Sequence, residues 1–249
     1  MIDWHCHLLP GIDDGPATVE DSVALAAALS KAGFTEVYCT PHLIKGSFEA
    51  DNDAVRKAVA GLQARLTEEG IALKLAAGRE YYLDEYCSDY LKDPMLLGDT
   101  RYLLIELPNH ISPEYAKEFF YRVKSSGYIP MIAHPERCAL FTVPEKQKEN
   151  LSRKLLSLFG ISGPRLDAQD PGLEKASLPG YLKDIGCAFQ GNLGSFAGLY
   201  GERVRQAVMR LHGMGLYTHF GSDMHASIHV QSLAQFMTKD YCSTLGLTS

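Results

Sequence analysis

Seven short runs rich in β-forming residues alternate with amphipathic stretches, and nearly every run closes on a histidine, a carboxylate or an asparagine. The runs are Met1–His7, Glu36–His42, Leu73–Glu80, Tyr102–Leu107, Ile129–His134, Cys187–Asn192 and Tyr217–Asp223. Between them, Thr18–Ala32 carries Val19, Val23, Leu25, Ala26 and Leu29 at roughly helical spacing, and Asp51–Glu69 carries Val55, Val59, Leu62 and Leu66. Pro113–Ser126 and Arg203–Met214 read the same way. Strands that alternate with helices pair in parallel, because each helix carries the chain back to the end where the next strand begins. A closed barrel and an open doubly wound sheet both accommodate this rhythm. The segment Ser162–Pro179 breaks it with Gly163-Pro164, Asp170-Pro171-Gly172 and Pro179-Gly180, and reads as an irregular insertion into a single domain spanning 1–249.

Composition closes off several classes. Apolar residues make up 46% and charged residues 22% of 249, the ordinary globular range. The longest apolar run, Val23–Leu29, is too short to span a bilayer, and no basic segment precedes an apolar one near Met1. A cytoplasmic location with reduced thiols is the expectation. The net charge of −6, without a basic cluster, argues against a nucleic-acid partner. None of the six cysteines has an arginine six positions later, as thiol-based tyrosine phosphatase chemistry requires; those positions hold Ile12, Lys45, Asp93, Pro144, Leu193 and Thr248.

The run ends carry the chemistry. In parallel α/β barrels the carboxyl ends of the strands converge on one face, where active sites are built. His5 and His7, two apart on a strand, point to the same side. His42, Glu80, Glu106, His134, Asn192, Asp223 and His225 fall at or just beyond the later run ends. Five histidines and three carboxylates are more than one ion can use, and suit two or three divalent ions. Arg137, three residues beyond His134, offers a planar fork that suits a phosphate. In Asp13-Asp14-Gly15, Asp14 is placed to orient a ligand histidine or to move a proton. His110, His212, His219 and His229 fit surface or packed roles.

These residues have a family look. His5-Cys-His7-Leu-Leu-Pro-Gly-Ile-Asp-Asp-Gly15, Thr40-Pro-His42, Gly78-Arg-Glu80, Leu104-Ile-Glu106, His134-Pro-Glu-Arg137, Gln190-Gly-Asn192 and Ser222-Asp-Met-His225 resemble the PHP (polymerase and histidinol phosphatase) superfamily. More narrowly, the Asp-Asp-Gly loop and Ser195-Phe-Ala-Gly-Leu-Tyr-Gly201 resemble bacterial manganese-dependent tyrosine-protein phosphatases of capsule and exopolysaccharide operons. The resemblance implies a distorted (β/α)7 TIM-like barrel with a cluster of two or three divalent ions, manganese first, with iron, zinc or cobalt as alternatives. It implies His5, His7, His42, Glu80, Glu106, His134, Asp223 and His225 as ligands, Arg137 on the phosphate, and a phosphotyrosine protein, a tyrosine autokinase, as substrate. Asn192 joins Arg137 as a candidate substrate contact, and Asp14 and His225 are candidates for proton transfer. A homo-oligomer is compatible with the sequence.

Two features depart from that pattern. A second arginine is usual shortly after the Ser-Asp-x-His motif, yet Ala226–Gln235 holds neither Arg nor Lys; His229 is nearby. The stretch from Arg137 to Gln190 is also longer than usual. The competing readings are a PHP-type phosphoesterase for histidinol phosphate or a nucleotide, a metal-dependent amidohydrolase, and a non-catalytic metal-binding subunit. The amidohydrolase reading is disfavoured because Glu106 stands where a bridging lysine is usual, and no run ends in Lys.

Overall fold

The computed structural model describes residues 1–142, 177–230 and 233. Its strands are β1 (Ile2–Cys6), β2 (Glu36–Cys39), β3 (His42–Leu43), β4 (Lys74–Ala77), β5 (Glu80–Tyr82), β6 (Tyr102–Glu106), β7 (Ile129–Ala133), β8 (Ala188–Asn192) and β9 (His219–Gly221). All pairs are parallel, in the orders β1-β2-β4 and β3-β5-β6-β7-β8-β9. The second and third runs, expected as single strands, each break in two, at Thr40-Pro41 and at Gly78-Arg79. Pro41 has no N–H for a ladder. The wall stays continuous nonetheless, because Gly78 N donates to Cys39 O (2.9 Å) and Glu80 N to Pro41 O (3.1 Å).

The wall closes on itself between the first and last runs. Asp223 N donates to His5 O (2.6 Å), His7 N to Met224 O (3.1 Å) and Ser222 N to Asp3 Oδ1 (2.7 Å). The fold is thus the distorted (β/α)7 barrel, and the open-sheet alternative falls. Trp4 of β1 stacks on Tyr38 of β2 and meets His219 of β9 and Tyr102 of β6 edge-on; the contact with β6, which does not neighbour β1, crosses the interior.

The helices are α1 (Val19–Lys31), α2 (Asn52–Glu68), α3 (Cys87–Tyr90), α4 (Pro113–Ser125), α5 (Ala139–Thr142), α6 (Leu178–Asp184), α7 (Leu193–Phe196) and α8 (Glu202–Gly213). Their starts follow local chemistry. Thr18, Asp51 and Ser112 accept from the backbone N–H three residues on, and Pro113 opens α4 with the φ a helix needs. α1 and α2 bury Val23, Leu25, Leu29, Val55, Leu62 and Leu66 against β1, β2 and β4. Each fully buried leucine contributes about 1.5–3 kcal/mol relative to exposure. α4, α6 and α8 cover the opposite wall through Phe119, Phe120, Leu182 and Leu211.

Most of the expected insertion, residues 162–176, lies outside the described residues. Its last part departs from the irregular segment expected: Ser177 Oγ accepts from Gly180 N (3.2 Å) and Leu178-Pro179 form the first turn of α6. A proline in a first turn loses no helical hydrogen bond, so the Pro-Gly pair starts this helix. Among the described residues no helix is long and apolar enough to cross a membrane.

Candidate metal centre

The register of β1 against β2 slips by one residue between Asp3 and Cys6. This β-bulge lets Trp4 fill the barrel floor while the next residue, His5, still reaches the carboxyl-end face. Gly221 makes the approach of the last strand possible: a Cβ there would stand 2.6 Å from His5 Cβ and 2.7 Å from His5 N. Among the described residues, the non-glycine residues with positive φ are His134 (26°) and Asp223 (50°), both at the site. Such backbone costs of order 1–3 kcal/mol and persists where the surroundings enforce it.

At the centre, four buried donors converge. His5 Nε2 lies 3.1 Å from His7 Nε2, 3.1 Å from Glu80 Oε2 and 3.3 Å from Asp223 Oδ1. His7 Nε2 lies 3.2 Å from both of those carboxylate oxygens. Atoms that bind one ion tetrahedrally at about 2.0–2.1 Å stand about 3.3–3.4 Å apart, so this spacing fits a small divalent cation. Two further groups overlap the first: His7, Asp14, His42 and His225, and His42, Glu80 and Glu106. His134 Nε2 stands beside them, 3.1 Å from Glu80 Oε1 and 3.9 Å from Glu106 Oε1. The structure thus brings together all eight residues singled out as ligands, and adds Asp14 to one group.

The outer contacts set the ring nitrogens. His7 Nδ1 donates to Asp13 Oδ2 (2.6 Å), and His5 Nδ1 to Gln190 Oε1 (3.0 Å), which also accepts from His134 N. His225 Nδ1 donates to Asp223 O (3.0 Å). Each contact leaves Nε2 with its lone pair toward the centre, the arrangement that orients metal-binding imidazoles. Asp13 also accepts from His42 N (3.0 Å) and Gly15 N (3.0 Å), so it ties two ligand strands to one loop.

Burial and mutual proximity shift most of the ionisable groups at the centre. Burial, then the Glu80 and Asp223 carboxylates, push Glu106 up to about 8. Burial and the Arg137 charge push His134 down to about 4, which keeps it a neutral donor. Burial works against ionised Asp223 and Glu80, yet both stay well below the usual carboxylate range, Asp223 through Arg137 and His5, Glu80 through His5, His42 and His134. His42 Nδ1 is buried 3.1 Å from Glu80 Oε2 without making a hydrogen bond. An imidazole nitrogen and a carboxylate oxygen held this close without a hydrogen bond suit ligands of a shared cation.

Arg137 lies on the turn Pro135–Arg137 beyond β7. Its Nη2 donates to Asp223 Oδ2, its Nε is buried without an acceptor, and its guanidinium sits 3.9 Å over the Tyr200 ring. Glu136, nearly fully buried, anchors that turn by accepting from Asn192 N (3.0 Å) and from the Tyr217 hydroxyl (2.9 Å). Asn192, expected to touch substrate, is fully buried: its Nδ2 donates to Asp223 Oδ2 (3.0 Å) and its Oδ1 accepts from Ser195 N. With both ends of its amide engaged, it orients Asp223 and caps α7 instead. Asp14 is half-exposed, with Oδ1 3.3 Å from His225 Nε2 and 3.9 Å from His7 Nδ1. Orientation of His7, one of the two roles open to Asp14, falls to Asp13.

Known proteins share this arrangement of chain. Residues 1–154 match the family described as "Capsular polysaccharide synthesis, CpsB/CapC". Tyrosine-protein phosphatase YwqE of Bacillus subtilis (strain 168) is 33% identical over 251 residues, covering 98% of this chain and 87% of that protein. The chain belongs to the CpsB/CapC family. The crystal structures of YwqE from Bacillus subtilis and CpsB from Streptococcus pneumoniae, described as unique metal-dependent tyrosine phosphatases, provide a chain similar at TM-score 0.75 and 32% identity. The match covers 99% of this chain and 90% of that one. Histidinol phosphate phosphatase from Lactococcus lactis, solved with zinc, L-histidinol and phosphate, has TM-score 0.52 at 13% identity over 98% of this chain and 93% of that one, a likeness of fold.

In this CpsB/CapC chain, sequence reasoning missed Asp13, Glu136, Gln190, Tyr200 and Tyr217. Asp13 is flagged only as one of two adjacent acids, while Glu136, Gln190 and Tyr200 lie inside motifs whose neighbours drew the attention. Tyr217 begins a β-type run and carries no local signal at all.

Proposed function

We propose that this chain is a metal-dependent protein-tyrosine phosphatase, acting on phosphotyrosine of a protein such as a tyrosine autokinase in capsule or exopolysaccharide synthesis. The carrying observation is the junction of Arg137 with Asp223 at the edge of the buried His5–His7–Glu80–Asp223 group. It supports the reading because a guanidinium fork, suited to a phosphate, lies beside a group of donors suited to cations. The 33% identity to a named tyrosine-protein phosphatase over 98% of the chain favours this substrate over histidinol phosphate, whose phosphatase shares 13%.

His5, His7, His42, Glu80, Glu106, His134, Asp223 and His225 would hold two or three divalent ions, with manganese as first choice. Such ions supply Lewis acidity, which activates water for attack and offsets charge on the phosphoryl oxygens. Arg137 binds those oxygens in the plane of its guanidinium and stabilises the charge of the transition state. The tyrosyl leaving group has a pKa of about 10 and needs a proton or a cation as it departs. His225 Nδ1–H is held by Asp223 O, so its one free nitrogen, Nε2, is committed if it binds an ion. Asp14, half-exposed at the rim, is the group we assign to pass the proton, although it also lies among the donors of one candidate ion group.

The test is a comparison of kcat/KM by the manganese-loaded protein on a phosphotyrosine peptide, histidinol phosphate and a nucleoside monophosphate. Preference for the peptide supports the reading. Preference for either small ester replaces it with the related phosphoesterase activity, and no turnover of any of them leaves a non-catalytic metal-binding subunit.

A further inference from the structure

We infer that Tyr200 determines selectivity for aryl over alkyl phosphates, its ring packing against the aromatic group of the bound ester while it backs Arg137. The inference rests on the phosphatase reading above and names how that site chooses its substrate.

The geometry of Arg137 restricts how a phosphate arrives. One face of the guanidinium is covered by the Tyr200 ring, 3.9 Å from centroid to Cζ, and Nη2 is turned to Asp223. Guanidinium N–H groups donate in their own plane, so a phosphoryl group bound there lies beside the Tyr200 ring. Inward, the way is closed by buried Asp223 and Asn192. The ester substituent must therefore leave outward. Tyr200 is 39% exposed although its ring lies on Arg137, so it offers apolar ring surface along that exit.

The ring is held in place. Gly194 leaves the room it needs: a Cβ there would stand 3.0 Å from Tyr200 Cε2 and 3.0 Å from Asn192 Oδ1. Leu199 N donates to Gly194 O (3.0 Å) and Gly201 N to Gly198 O (3.1 Å), which fixes the loop on α7. Asn192 caps α7 and bonds Asp223, so Tyr200 is in register with the centre through one short chain of contacts. A ring ordered before binding loses little freedom when a second ring packs on it. Burial and the Asp223 carboxylate also raise the Tyr200 phenol, so it remains neutral beside an anionic ester.

An aromatic pair adds a gain of roughly 3- to 10-fold in affinity beyond simple burial, and an alkyl phosphate has no ring to earn it. The experiment uses the manganese-loaded full chain and its Tyr200→Ala, Tyr200→Phe and Tyr200→Leu variants. Binding of phenylphosphonate and methylphosphonate is measured by calorimetry, alongside kcat/KM on phosphotyrosine and phosphoserine peptides. Tyr200→Ala and Tyr200→Leu should weaken phenylphosphonate roughly 3- to 10-fold more than methylphosphonate, while Tyr200→Phe keeps the parent's ratio. The peptide ratio should shift the same way. Equal loss for both phosphonates means the ring only backs Arg137, and no loss means it is bystander surface; either result overturns the inference. If Tyr200→Ala fails to fold, Tyr200→Leu carries the same comparison. A parent protein that binds phenylphosphonate but turns over no phosphotyrosine overturns the phosphatase reading instead, and the binding arm still decides the role of Tyr200.

Discussion

Asp13 Oδ2 stands 2.6 Å from His7 Nδ1, while its neighbour Asp14 keeps its nearest oxygen 3.9 Å from that nitrogen. Adjacent acids in one loop are thereby given different work. Asp13 accepts from His7 Nδ1, His42 N and Gly15 N, all donors, so an asparagine there must turn its amide N–H groups against one of them. Asp13→Asn should lower metal affinity roughly 10- to 100-fold, with activity restored by excess metal. Asp14→Asn should keep metal affinity near that of the parent and lower kcat by roughly 10²-fold or more. Metal titration followed by activity separates the two. If Asp14→Asn loses metal as readily as Asp13→Asn, Asp14 is a ligand and the proton comes from elsewhere.

Arg137→Ala removes a charged fork that is not itself a metal donor, although it bonds one, Asp223. Its kcat/KM should fall roughly 10²- to 10³-fold with bound metal near that of the parent. Arg137→Lys should recover only part of the loss, since an ammonium cannot make the paired in-plane contact. Near-normal kcat/KM in the alanine variant would mean that Arg137 serves only as the partner of Asp223.

Much of this site was legible because the barrel turns sequence order into proximity. A ligand-type residue at each run end is enough to place His42, Glu80, Glu106 and His134 on one face, and the His-x-His spacing aims His5 and His7 together. What escaped is non-local or conformational. The β-bulge at Trp4–His5 depends on strand pairing, and the break at Gly78-Arg79 carries no marker as plain as Pro41. Arg79, given no role of its own within Gly78-Arg-Glu80, is fully buried and donates to His42 O and Ala50 O. Asn192 looked available to substrate because a motif shows residue type but not which hydrogen bonds are already taken.

Thiols should be dispensable. Cys6 falls between His5 and His7, but its Sγ donates to Met224 O (3.5 Å) and packs with the apolar layer under α1 and α2. Burial raises this thiol well above its ordinary range, so it forms little thiolate. Cys6→Ser should keep most activity, whereas His5→Ala abolishes it. Equal losses would mean that Cys6 takes part in the reaction.

His219 makes the barrel floor sensitive to acid. It lies edge-on against Trp4 and Tyr102, and burial lowers it from 6.5 to about 4. Between those values the unfolded chain binds more protons than the folded one, so stability present above pH 6.5 is lost as pH falls toward 4. His219→Phe keeps the ring contacts and removes the titration. Its Tm should fall less steeply than the parent's from pH 6.5 to 4.5, while histidines elsewhere affect both proteins alike. Parallel Tm curves would contradict the assignment.

The most direct test of the whole account is phosphotyrosine-peptide hydrolysis measured together with elemental analysis, before and after chelation and dialysis. The predicted result is loss of activity with loss of bound divalent metal, restoration by Mn²⁺, and two or three equivalents bound at full activity. Full activity in a demonstrably metal-free sample would contradict it.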